Sequence, residues 1–194
     1  MEVLLNSDFT EFVNAAGETL HAERHERFVP VAQIEHSPRF QDFCKTCPRY
    51  GKNLACPPNT PDFASYAGDA GAARIICFRI PLADPDKTTA DQQRTDVRQA
   101  GKLLADELAT YQKQGLKVAG AGGCRACETC AGESGGDTCH QPAERIFSLE
   151  AMGVDVSSLL KRNFGFSLEW NRDGQRANYL CTVGAVFYDD CQNN

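Results

Sequence analysis

The stretch TTADQQRTDVRQAGKLLADELATYQKQ, residues 88–114, is the longest periodic segment of the chain and predicts a helix. Its apolar residues recur on one helical face, at Val97, Ala100, Leu104, Leu108 and Tyr111. Gly115 ends the pattern, as glycine commonly does after a helix. The short apolar runs ARIICFRI (73–80) and LKVAGA (116–121) flank the helix and predict strands. Together they form a βαβ unit, whose two strands we expect to be parallel.

Cap residues, prolines and glycines outside this unit predict three shorter helices. Serine, threonine and aspartate are typical of the position before a helix, and proline of its first turn. The predicted helices run from Thr60–Pro61, with Thr60 as N-cap, to Gly68 or Gly71, over Pro142–Met152 before Gly153, and over Val156–Asn163 between Asp155 and Gly165.

Alternating or β-rich segments predict further strands over Phe28–Glu35, Phe166–Trp170 and Ala177–Tyr188. Asn171–Gly174 is a plausible hairpin turn between the last two. The fold class expected is α/β or α+β, with a mixed sheet of about four to five strands and flanking helices. We expect one domain over residues 1–194, with residues 1–40 as an N-terminal arm and with cysteine-rich loops that bind metal.

The composition limits the classes of function. The net charge is −6 over 194 residues and the basic residues are scattered, which argues against nucleic acid as a partner. No run approaches the roughly 20 apolar residues that cross a bilayer. The first residues carry no basic leader, so a cytoplasmic, reducing location is the expectation. Clustered cysteines there indicate metal or redox chemistry rather than structural disulfides.

Ten cysteines are present, and seven of them fall in two windows. The second cysteine window, GGCRACETC followed by Cys139, contains Cys124, Cys127 and Cys130. The C-x2-C-x2-C spacing lets one loop reach three irons of a [4Fe–4S] cube, which favours an iron–sulfur cluster. Zinc, which more often draws two ligands from each of two C-x2-C knuckles, is the alternative.

The first cysteine window, CKTCPRYGKNLACPP (44–58), supplies Cys44, Cys47 and Cys56. Either Cys139 or Cys56 is a candidate for the fourth corner of the cube, so one or two clusters are compatible with the sequence. The first window could instead hold a second cluster or a zinc ion with one further ligand. The remaining thiols are Cys77, Cys181 and Cys191, but the first two lie in apolar strands, where cysteine usually packs as a small hydrophobic residue.

The two windows resemble the DUF2284 family of predicted metal-binding proteins. The resemblance covers roughly Cys44–Tyr188 and is carried by the first window together with GGCRACETC…SLEAMGVDVSSLLK (Gly122–Lys161). It implies cytoplasmic proteins of largely anaerobic prokaryotes, without an established reaction. The ligand positions that it implies are Cys44, Cys47, Cys56, Cys124, Cys127, Cys130 and Cys139.

Three functions are compatible with these thiols. The first is a [4Fe–4S] protein that transfers electrons to a redox partner protein or serves as an accessory to a redox enzyme. The second is an enzyme or a sulfur- or metal-handling factor, in which a three-cysteine site leaves one iron open. The third is an interaction module whose loops are fixed by zinc. The sequence identifies no catalytic residue, and leaves open whether the protein is an enzyme.

Overall fold

A mixed sheet of six strands forms the centre of the molecule. The computed structural model describes residues 8–13, 17, 19–82, 89–170 and 176–189. The strands are β1 (Asp8–Val13), β2 (Thr19–Pro30), β3 (Ala70–Pro81), β4 (Lys117–Gly120), β5 (Phe147–Ser148) and β6 (Tyr179–Asp189), in the spatial order β1-β2-β3-β6-β4-β5. The helices are α1 (Pro38–Gln41), α2 (Phe63–Ala67), α3 (Ala90–Lys113) and α4 (Val156–Phe164). The fold is therefore α+β, with slightly more strands than expected.

The predicted βαβ unit is present as β3, α3 and β4. β6 lies between the two strands and pairs antiparallel with both, so β3 and β4 run in the same direction, as expected, without being neighbours. Thr89 caps α3 through a reciprocal capping box with Gln92. The C-terminal segment of the chain thus completes the sheet that the βαβ unit begins.

The N-terminal region adds a β-hairpin to the sheet. β2 pairs with β1 on one side and with β3 on the other, both antiparallel. The predicted strand Phe28–Glu35 was wrong in its bounds, because β2 already ends at Pro30 and the chain turns through a 3-10 helix at Val31–Gln33. Apolar and polar residues do not alternate cleanly along β2, so its pairing with β1 and β3 could not be predicted from the sequence.

The short helices follow their caps, with one correction. α4 begins after Asp155, whose carboxylate accepts from the Ser158 amide, and ends at Gly165 with positive φ, as predicted. α2 does not begin at Thr60. The Asp62 carboxylate caps it by accepting from the Ser65 amide at 2.9 Å, while the Thr60 hydroxyl donates to the carbonyl of Ala151 at 3.0 Å.

The predicted helix over Pro142–Met152 was wrong. Only Pro142–Glu144 forms a 3-10 turn. Phe147 and Ser148 instead pair in parallel with β4, and the Leu149 amide extends that contact to the Gly120 carbonyl at 3.1 Å. The apolar residues of this segment therefore lie at the edge of the sheet, and their partner strand β4 is distant in sequence.

The predicted strand over Phe166–Trp170 was wrong as well, since that segment has no regular secondary structure. Its contacts come from side chains: the Phe166 ring packs against Phe164 and Tyr179, and the Tyr179 hydroxyl donates to the Ser167 carbonyl. The hairpin turn expected at Asn171–Gly174 lies outside the described residues.

Helices cover both faces of the sheet. The apolar face of α3 packs on one side, with Leu104 and Leu108 buried against Ile76 and Val186. α2 and α4 pack on the other side, together with the loop residue Ala55 of the first window. In the part of the chain that the structure describes, no helix has the length and apolar character needed to cross a membrane.

Candidate metal centre

The first window is a series of tight turns. Cys44 lies in a 3-10 turn over Asp42–Thr46, and its carbonyl accepts from the Cys47 amide at 2.9 Å. Cys56 closes the series, with its amide donating to the carbonyl of the buried Asn53 at 2.9 Å. The Asn53 side chain accepts from the amide of Ala55. These local bonds hold the three thiols without regular secondary structure.

The second window leaves the sheet directly after β4. Gly122, with φ of 66°, turns the chain out of the strand, and the Cys124 side chain packs against the core on the α2–α4 side. All four cysteines of this window line one small cavity. Its lining also includes Arg145 and part of the first window, and consists of Asn53, Leu54, Ala55, Cys124, Ala126, Cys127, Cys130, Cys139 and Arg145.

The two windows dock on each other. The Leu54 amide donates to Cys130 Sγ at 3.3 Å, a contact between the first window and a predicted ligand of the second. At Gly132 a β-carbon would lie 2.2 Å from the Lys52 carbonyl oxygen, so only glycine permits this approach. Seven thiols from separate parts of the sequence therefore belong to one region of the molecule.

The thiols affect one another electrostatically. Burial, and then the neighbouring Cys47 and Cys44, raise the pKa of Cys56 to about 11. The pKa of Cys127 is raised by desolvation and then by Cys139, Cys124 and Cys130. Thiols that oppose each other's ionisation gain most from a bound cation, which favours the thiolate form.

Arginines lie beside the second window. In Arg125 the guanidinium approaches the backbone of Gly101 on α3, where a β-carbon would be 2.8 Å from Nη2. Similarly, a β-carbon on Gly123 would lie 2.5 Å from Nη1 of Arg49. Burial, and then Arg49 and Arg98, lower the pKa of Arg125, so the guanidiniums are close to one another. This positive charge suits a group of thiolates.

Sequence reasoning missed Glu150. Glu150 is partly exposed, but its Oε2 atom is buried and has no hydrogen-bond partner among the residues that the structure describes. Burial raises the pKa of this carboxyl, and the Glu150 charge contributes, after burial, to the raised pKa of Cys44. The sequence offered no signal for this proximity, because β5 and the turn after it bring Glu150 to the first window only in the folded chain.

The three cysteines outside the windows were weak candidates for an eighth ligand. Cys77 lies in β3 and Cys181 in β6, and their sulfur atoms are 3.1 Å apart. Neither lines the cavity of the second window. Cys191 lies outside the described residues.

The donor set consists mainly of sulfur, which suits a soft metal. Among the described His, Cys, Asp and Glu side chains, no three are gathered in the way that a single metal ion requires. The assignment of the seven cysteines as ligands stays a prediction.

Comparison with known proteins bears on this region. Neither the curated proteins nor the solved structures gave a match. A family model described as "Predicted metal-binding protein (DUF2284)" matches residues 27–187, a range that includes both windows, α3, α4 and most of the sheet. Because the match covers most of the chain, the protein belongs to the DUF2284 family of predicted metal-binding proteins.

Proposed function

We propose that the protein binds one or two [4Fe–4S] iron–sulfur clusters. One cluster is bound by the second window, and the other, where it is present, is bound by the first window. We further propose that it transfers electrons in the cytoplasm, to a redox partner protein or as an accessory to a redox enzyme. The observation that carries the proposal is the single cavity lined by Cys124, Cys127, Cys130 and Cys139. Three of these four thiols follow the spacing typical of cluster-binding loops.

The spacing of Cys124, Cys127 and Cys130 along the sequence supports a cluster over zinc. A tetrahedral zinc site gathers four donors around one ion, at about 2.3 Å for sulfur. A cube spreads its thiolates over four irons and so accepts donors that are farther apart. Four thiols line one cavity, and three of them come from a single C-x2-C-x2-C run, whereas zinc more often takes two ligands from each of two C-x2-C knuckles.

The chain's own groups would tune such a site. An iron–sulfur cluster supplies one-electron chemistry, with a potential set by hydrogen bonds to sulfur, charge and solvent access. The Leu54 amide already donates to Cys130 Sγ at 3.3 Å. Arg145 lines the cavity, and Arg49 is close enough to Cys56 to oppose the rise in the pKa of that thiol, so positive charge is available to offset the thiolates. These groups favour the reduced, more negative state and so raise the potential.

Metal analysis after anaerobic purification tests the proposal. We expect a brown protein with broad visible absorption and about four or eight irons per chain. The Cys127→Ser variant should lose iron, because one corner of the cube loses its thiolate, whereas Cys191→Ser should retain the wild-type iron content. Equal iron in the two variants would overturn the ligand assignment. A colourless protein that contains zinc would instead support an interaction module.

An open site in the first window is a second candidate function. It is favoured because this window supplies three thiols, while Cys77 and Cys181 contact each other elsewhere and Glu150 lies near Cys44. An iron without a thiolate there could bind a substrate, as in an enzyme or a sulfur-handling factor. Cyanide added to the reduced protein should then change the electron paramagnetic resonance spectrum of that cluster. An unchanged spectrum would favour electron transfer alone.

A further inference from the structure

Cys77 and Cys181 form a pair of thiols on the sheet, outside the two windows. In the register of β3 and β6, Cys77 is opposite Val183 and Cys181 is opposite Arg79, so the two cysteines are offset by two residues and share one face. Their Sγ atoms are 3.1 Å apart. The two sulfur atoms are in contact, about 1 Å farther apart than in a disulfide bond.

The two sulfurs differ in access. Cys77 is fully buried, whereas Cys181 is partly exposed. On the neighbouring strand β2, His25 is opposite Cys77 and packs against the rings of Phe164 and Phe166. Of the two residues, Cys181 is therefore the one that is open to solvent, while the buried Cys77 lies in contact with it.

We propose that Cys77 and Cys181 form a thiol–disulfide exchange site that is oxidised reversibly by small disulfides of the glutathione class. The site is distinct from the proposed metal centre and does not depend on it. It adds a two-electron couple to the protein, in which the partly exposed Cys181 reacts first and the buried Cys77 resolves the mixed disulfide.

The exchange balances in two steps. The Cys181 thiolate attacks one sulfur of glutathione disulfide, forms a mixed disulfide and releases one glutathione thiolate, which takes up the proton lost by Cys181. The Cys77 thiolate then attacks Cys181 Sγ, forms the Cys77–Cys181 bond and releases the second glutathione, which takes up the proton of Cys77. The pair is oxidised by two electrons and the glutathione disulfide is reduced by two electrons.

The surroundings favour this order of events. The hydrogen bond with Cys181, and then burial, raise the pKa of Cys77 well above its ordinary value, so Cys77 waits as a thiol. Once Cys181 is held in a mixed disulfide, the first of these causes is gone. Arg79, whose Nη1 is 3.0 Å from Glu23 Oε2 and whose guanidinium lies over the Tyr179 ring, supplies a positive charge that lowers the pKa of Cys77.

The experiment treats the anaerobically purified holoprotein with glutathione disulfide, followed by alkylation and peptide mapping of every cysteine. In the wild type we expect a Cys77–Cys181 linked peptide that dithiothreitol removes. In Cys77→Ser the glutathione should remain on Cys181, at more than about ten times the wild-type level, because the resolving thiol is missing. In Cys181→Ser, Cys77 should stay free of glutathione.

Cys77→Ala serves as a second variant that leaves no hydroxyl in the core, so that a folding defect of the serine variant is not mistaken for a chemical effect. It should accumulate the same adduct on Cys181. The proposal is overturned if the wild type forms no linked peptide, if Cys77 becomes glutathionylated in Cys181→Ser, or if neither Cys77 variant accumulates the adduct. Because iron content is measured in the same samples, failure of this site is distinguishable from failure of the metal centre.

Discussion

At the residue scale, the seven window cysteines were predictable as candidate ligands and their surroundings were not. Their spacing is a local property of the sequence, so Cys124, Cys127 and Cys130 could be recognised directly. The Leu54 amide and the Glu150 carboxylate act through contacts between segments that are distant in sequence. Such contacts have no signature in a single chain, because any amide or carboxylate can make them.

Glu150 gives a residue-scale prediction about pH. Burial raises its pKa above the ordinary value of 4.5, so the folded protein binds this proton more tightly than the unfolded protein does. The stabilisation is therefore fully present below pH 4.5 and is lost as the pH rises through the raised value. The free energy of unfolding of Glu150→Gln relative to wild type should increase from pH 4 to pH 8, by about 1–3 kcal/mol.

Thermal unfolding of chelator-treated protein measures this effect without a competing cation. An increase of 1 kcal/mol in the free energy of unfolding corresponds to a rise of about 2–4 °C in Tm for a chain of this size. Glu128→Gln is the matched control, since Glu128 is an exposed carboxylate of the second window. If the free energy of unfolding of Glu150→Gln depended on pH in the same way as that of wild type, burial of this carboxyl would not destabilise the protein.

At the element scale, prediction succeeded where local chemistry determines the element. The helical recurrence of apolar residues predicted α3, and Asp155 and Gly165 cap and end α4, so both helices followed from the sequence. The segments Pro142–Met152 and Phe166–Trp170 failed, because their conformation depends on β4 and on the ring of Tyr179. A helix and a strand would bury the same apolar residues of such a segment, so only the tertiary partner decides between the two conformations.

The docking of the two windows gives an element-scale prediction at Gly132. A methyl group there would lie 2.2 Å from the Lys52 carbonyl oxygen, so Gly132→Ala must push the windows apart. We expect a loss of about 1–3 kcal/mol in stability together with a lower iron content. Thermal unfolding and iron analysis of the same preparation measure the two effects.

Gly122→Ala is the control for this prediction. Its φ of 66° strains any residue with a β-carbon, but no atom of the described neighbours would lie within 4 Å of that β-carbon. This variant should lose stability while its iron content stays near that of wild type. If Gly132→Ala also retains the wild-type iron content, contact between the windows is not needed to assemble the metal centre.

At the scale of the whole molecule, the scaffold and the candidate metal centre are stabilised by different means. β3 and β6 pair along almost their entire length and are buried between helices on both faces. The windows consist of short turns, whose backbone hydrogen bonds are mostly local. The matched family range begins at residue 27, within β2, so the hairpin formed by β1 and β2 extends the sheet largely outside that range.

This division predicts how the molecule responds when metal is removed. Amides of residues 44–58 and 122–141 should exchange with deuterium faster after anaerobic chelation, because the thiols then no longer bind metal. Amides of β3 and β6 should keep their protection, because their hydrogen bonds depend only on the sheet. Loss of protection throughout the chain would mean that the sheet itself requires metal to fold. Unchanged exchange in both windows would mean that metal does not order them, and that their turns and mutual docking suffice.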